Sequence, residues 1–276
     1  MYARRPGADD NRVRYPSPLV EATLLGRRVR FFADCRLDTG EEVVAHCVNS
    51  GSLRGVIRPG QRVRLSRSAN PERKLAWTWE QALVGRTWVG VDTAIPNPAV
   101  HEALLAGRVP SLRAYARFRR EVRFGRENSR VDLLLEGDGL PPLYLEVKNV
   151  SMAEGDRALF PDSVTERGRK HLRELAREVR AGNRAALLFF VHRPDCRSLS
   201  SADAVDPAYG RALRWAAREG VEVLAHRAVL DRRGVRLGAA VPVDLSPGKD
   251  RGASLLAPPA GTAGSPKPLD RVIGGG

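Results

Sequence analysis

The sequence predicts an α/β (α+β) chain: a small β-barrel or sandwich first, then a domain built on a mixed sheet. Three observations predict it. Residues 18–90 are short strand-like runs cut by turn chemistry. From about residue 91, apolar runs of strand length alternate with runs of helical period. Near Gly139, a turn-rich stretch joins two apolar runs that carry two acids and a lysine.

Residues 1–16 read as a disordered basic arm. Strands are expected over residues 24–34, 42–47, 62–66 and 76–82, within a first domain over residues 17–90. The breakers are Asp38-Thr39-Gly40, Asn49-Ser50-Gly51, Arg58-Pro59-Gly60 and Ser68-Ala69-Asn70-Pro71. Arg27, Arg28, Arg30, Arg73 and Lys74 cluster here with Phe31, Phe32, Trp77 and Trp79 interleaved. Bases among aromatics suit strand binding by charge neutralisation and base stacking, although aromatics at such positions also serve as core. Phe31 and Phe32 are neighbours, so on one strand they face opposite ways.

A second domain is expected over residues 91–245. A helix opens near Pro98 and continues to Leu105. Residues 112–124 form a very arginine-rich, strand-forming stretch. The hairpin follows. A helix then runs from Thr165 to Arg180, with Leu172, Leu175 and Val179 on one face and Gly182-Asn183 as its stop. Residues 184–191 are nearly all apolar, as a central strand requires. A helix over residues 209–218 and strands over 221–224 and 235–243 complete the domain. Residues 246–276, rich in Pro, Gly, Ala and Ser, read as a loose tail.

The hairpin is the most chemically pointed element. With its centre near Gly139, Asp132 lies opposite Glu146, and Glu146 and Lys148 share a face. Two carboxylates this close suit a hard divalent cation that takes oxygen ligands. A neighbouring ammonium orients water or stabilises charge on a phosphate. Together these are the parts needed for metal-assisted phosphodiester hydrolysis. The competing reading is a cross-strand ion pair on a solvated face.

Composition narrows the partner. The 276 residues carry a formal net charge of +14, which points to a polyanion. Arginine replaces lysine almost throughout, as codon bias would favour, but codon bias does not leave the bases unbalanced by acids. Cys35, Cys47 and Cys196 form no C-x-x-C pair, so neither a disulfide framework nor a zinc site is expected. His46, His101, His192 and His226 are scattered and read as structural. No apolar run is long enough to span a bilayer and no signal segment is visible, so a cytoplasmic, non-membrane setting is expected.

With these residues in hand, the chain resembles the sugar fermentation stimulation protein A (SfsA) family from about Pro18 to Val243. The matching runs include Ala45-His46-Cys47, Asn49-Ser50-Gly51-Ser52, Arg73-Lys74-Leu75, Trp77-Thr78-Trp79-Glu80 and Trp88-Val89-Gly90-Val91. They continue with Ser129-Arg130-Val131-Asp132, Glu146-Val147-Lys148-Asn149-Val150, Phe160-Pro161-Asp162-Ser163-Val164-Thr165 and Arg167-Gly168-Arg169-Lys170-His171-Leu172. Val131 stands where the nuclease pattern often has proline, and Leu53 where the family has methionine.

The resemblance implies an N-terminal OB-fold-like barrel, a PD-(D/E)XK nuclease-like second domain, and DNA binding of low sequence specificity. It maps the catalytic acids and lysine onto Asp132, Glu146 and Lys148, with Mg²⁺ or Mn²⁺ held by Asp132, Glu146 and the helix acid Glu102. Arg167, Lys170 and His171 begin the following helix and suit phosphate contact. Arg117, Arg119, Arg123 and Arg130 suit a phosphate track into the site, and Arg73 and Lys74 a second contact on the barrel. The family name points to a different class of function, a non-catalytic regulatory DNA-binding factor linked to sugar metabolism. RNA remains an alternative partner, since OB-like folds take either nucleic acid. The sequence leaves the oligomeric state open.

Overall fold

A computed structural model describes residues 11–126 and 129–247. The first half is all strand: Val13–Arg14 (β1), Val20–Arg28 (β2), Phe32–Leu37 (β3), Glu42–His46 (β4), Arg62–Arg67 (β5), Trp77–Val84 (β6) and Thr87–Gly90 (β7). The second half runs Pro96–Leu105 (α1), Arg117–Phe124 (β8), Ser129–Glu136 (β9), Leu143–Val150 (β10), Ala153–Glu154 (β11), Arg157–Phe160 (β12) and Glu166–Arg180 (α2). It ends with Arg184–Val191 (β13), Ser198–Ser201 (β14), Pro207–Arg218 (α3), Glu222–Leu230 (β15), Gly234–Ala240 (β16) and Val243–Asp244 (β17).

β2 to β6 close into a five-stranded OB-fold barrel in the order β2-β3-β4-β6-β5, with β5 returning to β2. The closing pair β4–β6 is parallel, and the other pairs are antiparallel. Ala22, Leu24, Ala33, Cys35, Val63, Leu65 and Trp79 fill its interior from alternate positions. A register shift between Leu24 and Gly26 bends β2 round the barrel.

The stretch expected as one strand over residues 24–34 is a hairpin. Val29 and Arg30 take φ of 47° and 63°, a primed-turn geometry normally signalled by Asn or Gly. Phe31, at the end of the turn, is 44% exposed, while Phe32 opens β3.

β1 also departs from expectation. The disordered arm expected over residues 1–16 is structured from Val13, which pairs with Val235, and Val13 and Tyr15 are buried. These two apolar side chains gain a core on the far sheet edge, which their basic surroundings concealed. Residues 1–10 of that arm, and the expected tail after residue 247, lie outside the described residues.

The second domain is a seven-stranded mixed sheet in the order β1-β16-β15-β13-β10-β9-β8. β10, β13 and β15 run parallel. Their crossovers α2 and α3 pack on one face through Leu172, Leu175, Leu213 and Ala216. α1 covers the other face through Ala99, Val100, Ala103 and Leu104. α2 and α3 are joined at their N-termini by Asp206. Its carboxylate caps α3 at the Tyr209 N–H (2.9 Å), accepts from the Thr165 N–H (2.9 Å) and pairs with Arg169 (3.1 Å).

Barrel and sheet domain are tied directly. The Gly90 N–H donates to the His192 carbonyl (2.8 Å), and the Leu53 N–H to Asp162 Oδ2 (2.9 Å). Buried Glu80 and Asp92 meet at this junction. Burial and the Asp92 charge push the Glu80 carboxyl well above its ordinary range. Gly90 lies so close to the His192 ring that a methyl group would overlap it. Gly90→Ala is therefore expected to destabilise the protein by about 1–3 kcal/mol in urea unfolding. An unchanged midpoint would show that the junction yields freely.

Candidate active site

The site forms where β9 leaves β10. Their ladder is centred on Gly139 (Leu143↔Leu135, Leu145↔Leu133) and stops one residue short of Asp132 and Glu146. Beyond that point the Val147 N–H, with no ladder partner on β9, donates to Asp132 Oδ2 (2.7 Å). The β8–β9 ribbon turns over at the same level. Phe118, Leu133 and Leu135 belong to the α1-side core, while Val122, Phe124 and Val131 pack on the α2 side. Glu121, between the two sets, has φ 54°. This half-turn lets Asp132 meet β10 and α1 together, since Asn97 Nδ2 of α1 donates to its Oδ1 (2.7 Å).

Glu146 is 3% exposed. Its Oε1 accepts from Lys148 Nζ (2.6 Å) and from His171 Nδ1 of α2 (2.6 Å). Its Oε2 is buried with no hydrogen-bond partner among the described residues, as is the Tyr209 hydroxyl. The two carboxyls are driven apart electrostatically. Burial, then the Glu146 charge, pushes Asp132 up to about 6. Burial acts on Glu146 in the same direction, but Lys148 and His171 outweigh it and hold Glu146 below its ordinary value. The cluster is thus a buried network and not the solvated ion pair that the hairpin alone allowed.

Asp132, Glu146, Lys148 and His171 are brought together. Glu102, expected as a metal ligand, is not the α1 residue that reaches Asp132; Asn97, five residues earlier on the first turn, takes that place. Among the described residues no group of three or more His, Cys, Asp or Glu is arranged to hold a metal ion. Arg167 is exposed, its Nε 3.5 Å from His171 Nε2, and Lys170 is half-buried on the same helix. Arg117, Arg119 and Arg123 are exposed along β8, the sheet's edge strand, with Arg117 paired to Asp138 (2.8 Å). Arg123 stands directly opposite Arg130 in the ladder, two residues from Asp132.

On the barrel, Lys74 is exposed, but Arg73 is turned inward to Thr78 Oγ1 (2.9 Å) and His46 Nδ1 (3.2 Å), so its guanidinium is already engaged by the protein. Sequence reasoning missed Asn97 and Tyr209. The only signal for Asn97 was a polar residue between Pro96 and Pro98 at a helix start.

An OB barrel joined to a mixed-sheet domain, with Asp132, Glu146 and Lys148 grouped where β9 leaves β10, defines a two-domain α/β protein. Family models identify it further. Residues 25–91 match the SfsA N-terminal OB domain, and residues 94–234 match the sugar fermentation stimulation protein RE domain. The chain belongs to the sugar fermentation stimulation protein (SfsA) family. It is 50% identical over 233 residues to the sugar fermentation stimulation protein homolog of Geobacter metallireducens, covering 84% of this chain and 100% of that one. It is 52% identical over 228 residues to the Geobacter sulfurreducens homolog, covering 83% and 97%. The fold is similar to that of Pyrococcus furiosus SfsA, solved in complex with Ca²⁺. There the TM-score is 0.77 at 24% identity, covering 84% of this chain and 99% of that one. No described helix is long and apolar enough to cross a membrane.

Proposed function

We propose that this protein is a divalent-metal-dependent nuclease that acts on DNA with little sequence preference. The observation that carries the reading is the Glu146 carboxylate: one oxygen is fixed by Lys148 and His171, and the other is buried and has no partner among the described residues, with the half-buried acid Asp132 on the neighbouring strand. An orphaned carboxylate oxygen is costly unless something electropositive meets it. Two acids, with water and phosphate oxygens completing the shell, fit Mg²⁺ or Mn²⁺, which need no all-protein cage. The Ca²⁺ in the Pyrococcus furiosus relative is a hard, oxygen-seeking cation of the same kind.

Asp132 and Glu146 would hold the cation, which when bound supplies charge neutralisation at the phosphate and a more acidic water. Lys148 is placed to orient that water or to steady charge on the phosphate, while Glu146 fixes its ammonium. His171 holds the same Glu146 oxygen from α2, and the Val147 N–H and Asn97 lock Asp132. The reading is tested by incubating labelled single- and double-stranded DNA and RNA with EDTA, Mg²⁺ or Mn²⁺. Wild type should cleave DNA only with metal, and Asp132→Ala should bind but not cleave. No cleavage of any substrate by wild type would leave a DNA-binding factor without catalysis.

The β8 edge would carry the DNA. Like charges directly opposite in a ladder repel, and a phosphate between Arg123 and Arg130 removes that cost. Replacing Arg119, Arg120 and Arg123 by Gln should flatten the log–log salt dependence of duplex binding by about 0.9 for each phosphate no longer neutralised. Anisotropy titrations across salt would read this. An unchanged slope would place the track elsewhere.

A further inference from the structure

A cavity of ≈ 540 Å³ opens at the opposite end of α1 from Asn97. A ten-residue helix puts it about 15 Å away from the Asp132 fork. Four arginines line it, Arg108, Arg113, Arg227 and Arg236, and none of the described residues lining it is acidic. That is unusual for this protein, whose exposed arginines repeatedly find a carboxylate, as Arg28 finds Asp34 and Arg180 finds Glu219. Here Arg113 donates to the Gly107 carbonyl (2.6 Å) and Arg227 to the Pro194 carbonyl (3.2 Å). Both bonds hold the side chain in place and leave its charge uncompensated.

The cavity is built into the fold. Arg108 and Arg113 flank a 3-10 turn at Pro110–Leu112, and Val109 and Leu112, 2% and 1% exposed, pin that segment to the core. On the other wall the β15–β16 register shifts between His226 and Ala228, so Gly238 and Ala239 together oppose Arg227. Bulges of this kind re-aim a side chain. Gly238 is required there, because a Cβ would lie 2.7 Å from the Arg227 carbonyl oxygen. Leu237, Val229 and Pro194 give the cavity an apolar wall beside its cations.

We infer that this cavity binds a small phosphorylated molecule with an apolar or planar body, of the nucleoside phosphate class. Guanidiniums take phosphate oxygens in bidentate pairs, and the apolar wall takes the base. The volume is that of an ordinary small-molecule site. A duplex laid on the surface would use the cations but leave the apolar recess unfilled. The inference does not depend on the nuclease reading, since no residue is shared.

The test is calorimetric titration of the full chain, in EDTA, with AMP, ADP, adenosine and inorganic phosphate. AMP should bind saturably at one site and ADP more tightly, with adenosine and phosphate each about tenfold weaker or worse. Arg227→Gln combined with Arg236→Gln should weaken AMP by about tenfold or more, at unchanged thermal midpoint and DNA affinity. Should that pair fail to fold, Arg108→Gln with Arg113→Gln serves in its place. The inference is overturned if neither nucleotide saturates, if the variant binds AMP as wild type does, or if phosphate alone binds as tightly as AMP. It is equally overturned if a short duplex displaces AMP and the variant loses duplex and AMP affinity together.

Discussion

Lys148→Met should lower metal-dependent cleavage by about 10²–10³-fold while leaving DNA binding close to wild type. The Lys148 side chain is 17% exposed and its ammonium sits 2.6 Å from Glu146 Oε1, so methionine fills the space but removes the charge. Two readouts separate catalysis from simple structural damage. Lys148 is the first of the groups that hold Glu146 down, so its loss moves the acid limb of the pH–rate profile to higher pH. His171 still donates to the same oxygen, so the loss of stability should stay within about 1–3 kcal/mol. Cleavage retained within a few-fold of wild type would remove Lys148 from the chemistry.

Asp132→Asn should make the metal-free protein more stable while abolishing its response to metal. The Asp132 carboxyl is held at about 6 when folded, against about 3.9 in an unfolded chain. The folded state therefore binds the proton more tightly. Its ionisation costs stability progressively as pH rises from about 4 to about 6, and the full cost applies above that. Asparagine removes the cost. It also keeps the local bonds: Oδ1 accepts from the Val147 N–H, and the new amide donates to Asn97 once that side chain flips. In EDTA the variant should exceed wild type by about 1–3 kcal/mol at pH 7.5 and equal it near pH 4. Added Mg²⁺ should raise the wild-type melting temperature and not the variant's. A variant no more stable than wild type at pH 7.5 would show that water or flexibility already relieves the buried charge.

The hairpin was legible because every local signal agreed. The turn residues 136–142 and the apolar runs of both strands specify one register, and the register brings Asp132 and Glu146 to the same level, one residue past the end of the ladder. α2 was legible for the same reason, with Thr165 capping the Gly168 N–H (3.0 Å). What stayed hidden depends on partners distant in sequence or on backbone angles the residue type disfavours. Val13 pairs with a strand more than two hundred residues away. Val29 and Glu121 adopt positive φ that neither side chain advertises, and the second of these turns the ribbon so that α1 meets Asp132. Asn97 then reaches Asp132 from α1 with an amide hydrogen bond, a contact that spacing alone does not encode. The bonds of Arg73 to Thr78 and His46 are likewise beyond what charge counting encodes.

The three cysteines give the molecule its own reporters of opening. Cys35 and Cys47 lie wholly within the barrel interior, and Cys196 lies wholly within the α2–α3 core. None is exposed, so in the native state alkylating reagents reach a thiol only through an opening motion. Pulsed labelling followed by peptide mapping would time the barrel and the sheet domain separately in one unmodified chain. Equal rates at all three thiols would mean that the Gly90–His192 and Leu53–Asp162 ties make the two domains one cooperative unit. A faster barrel would mean that its five strands come apart while the acidic fork is still intact.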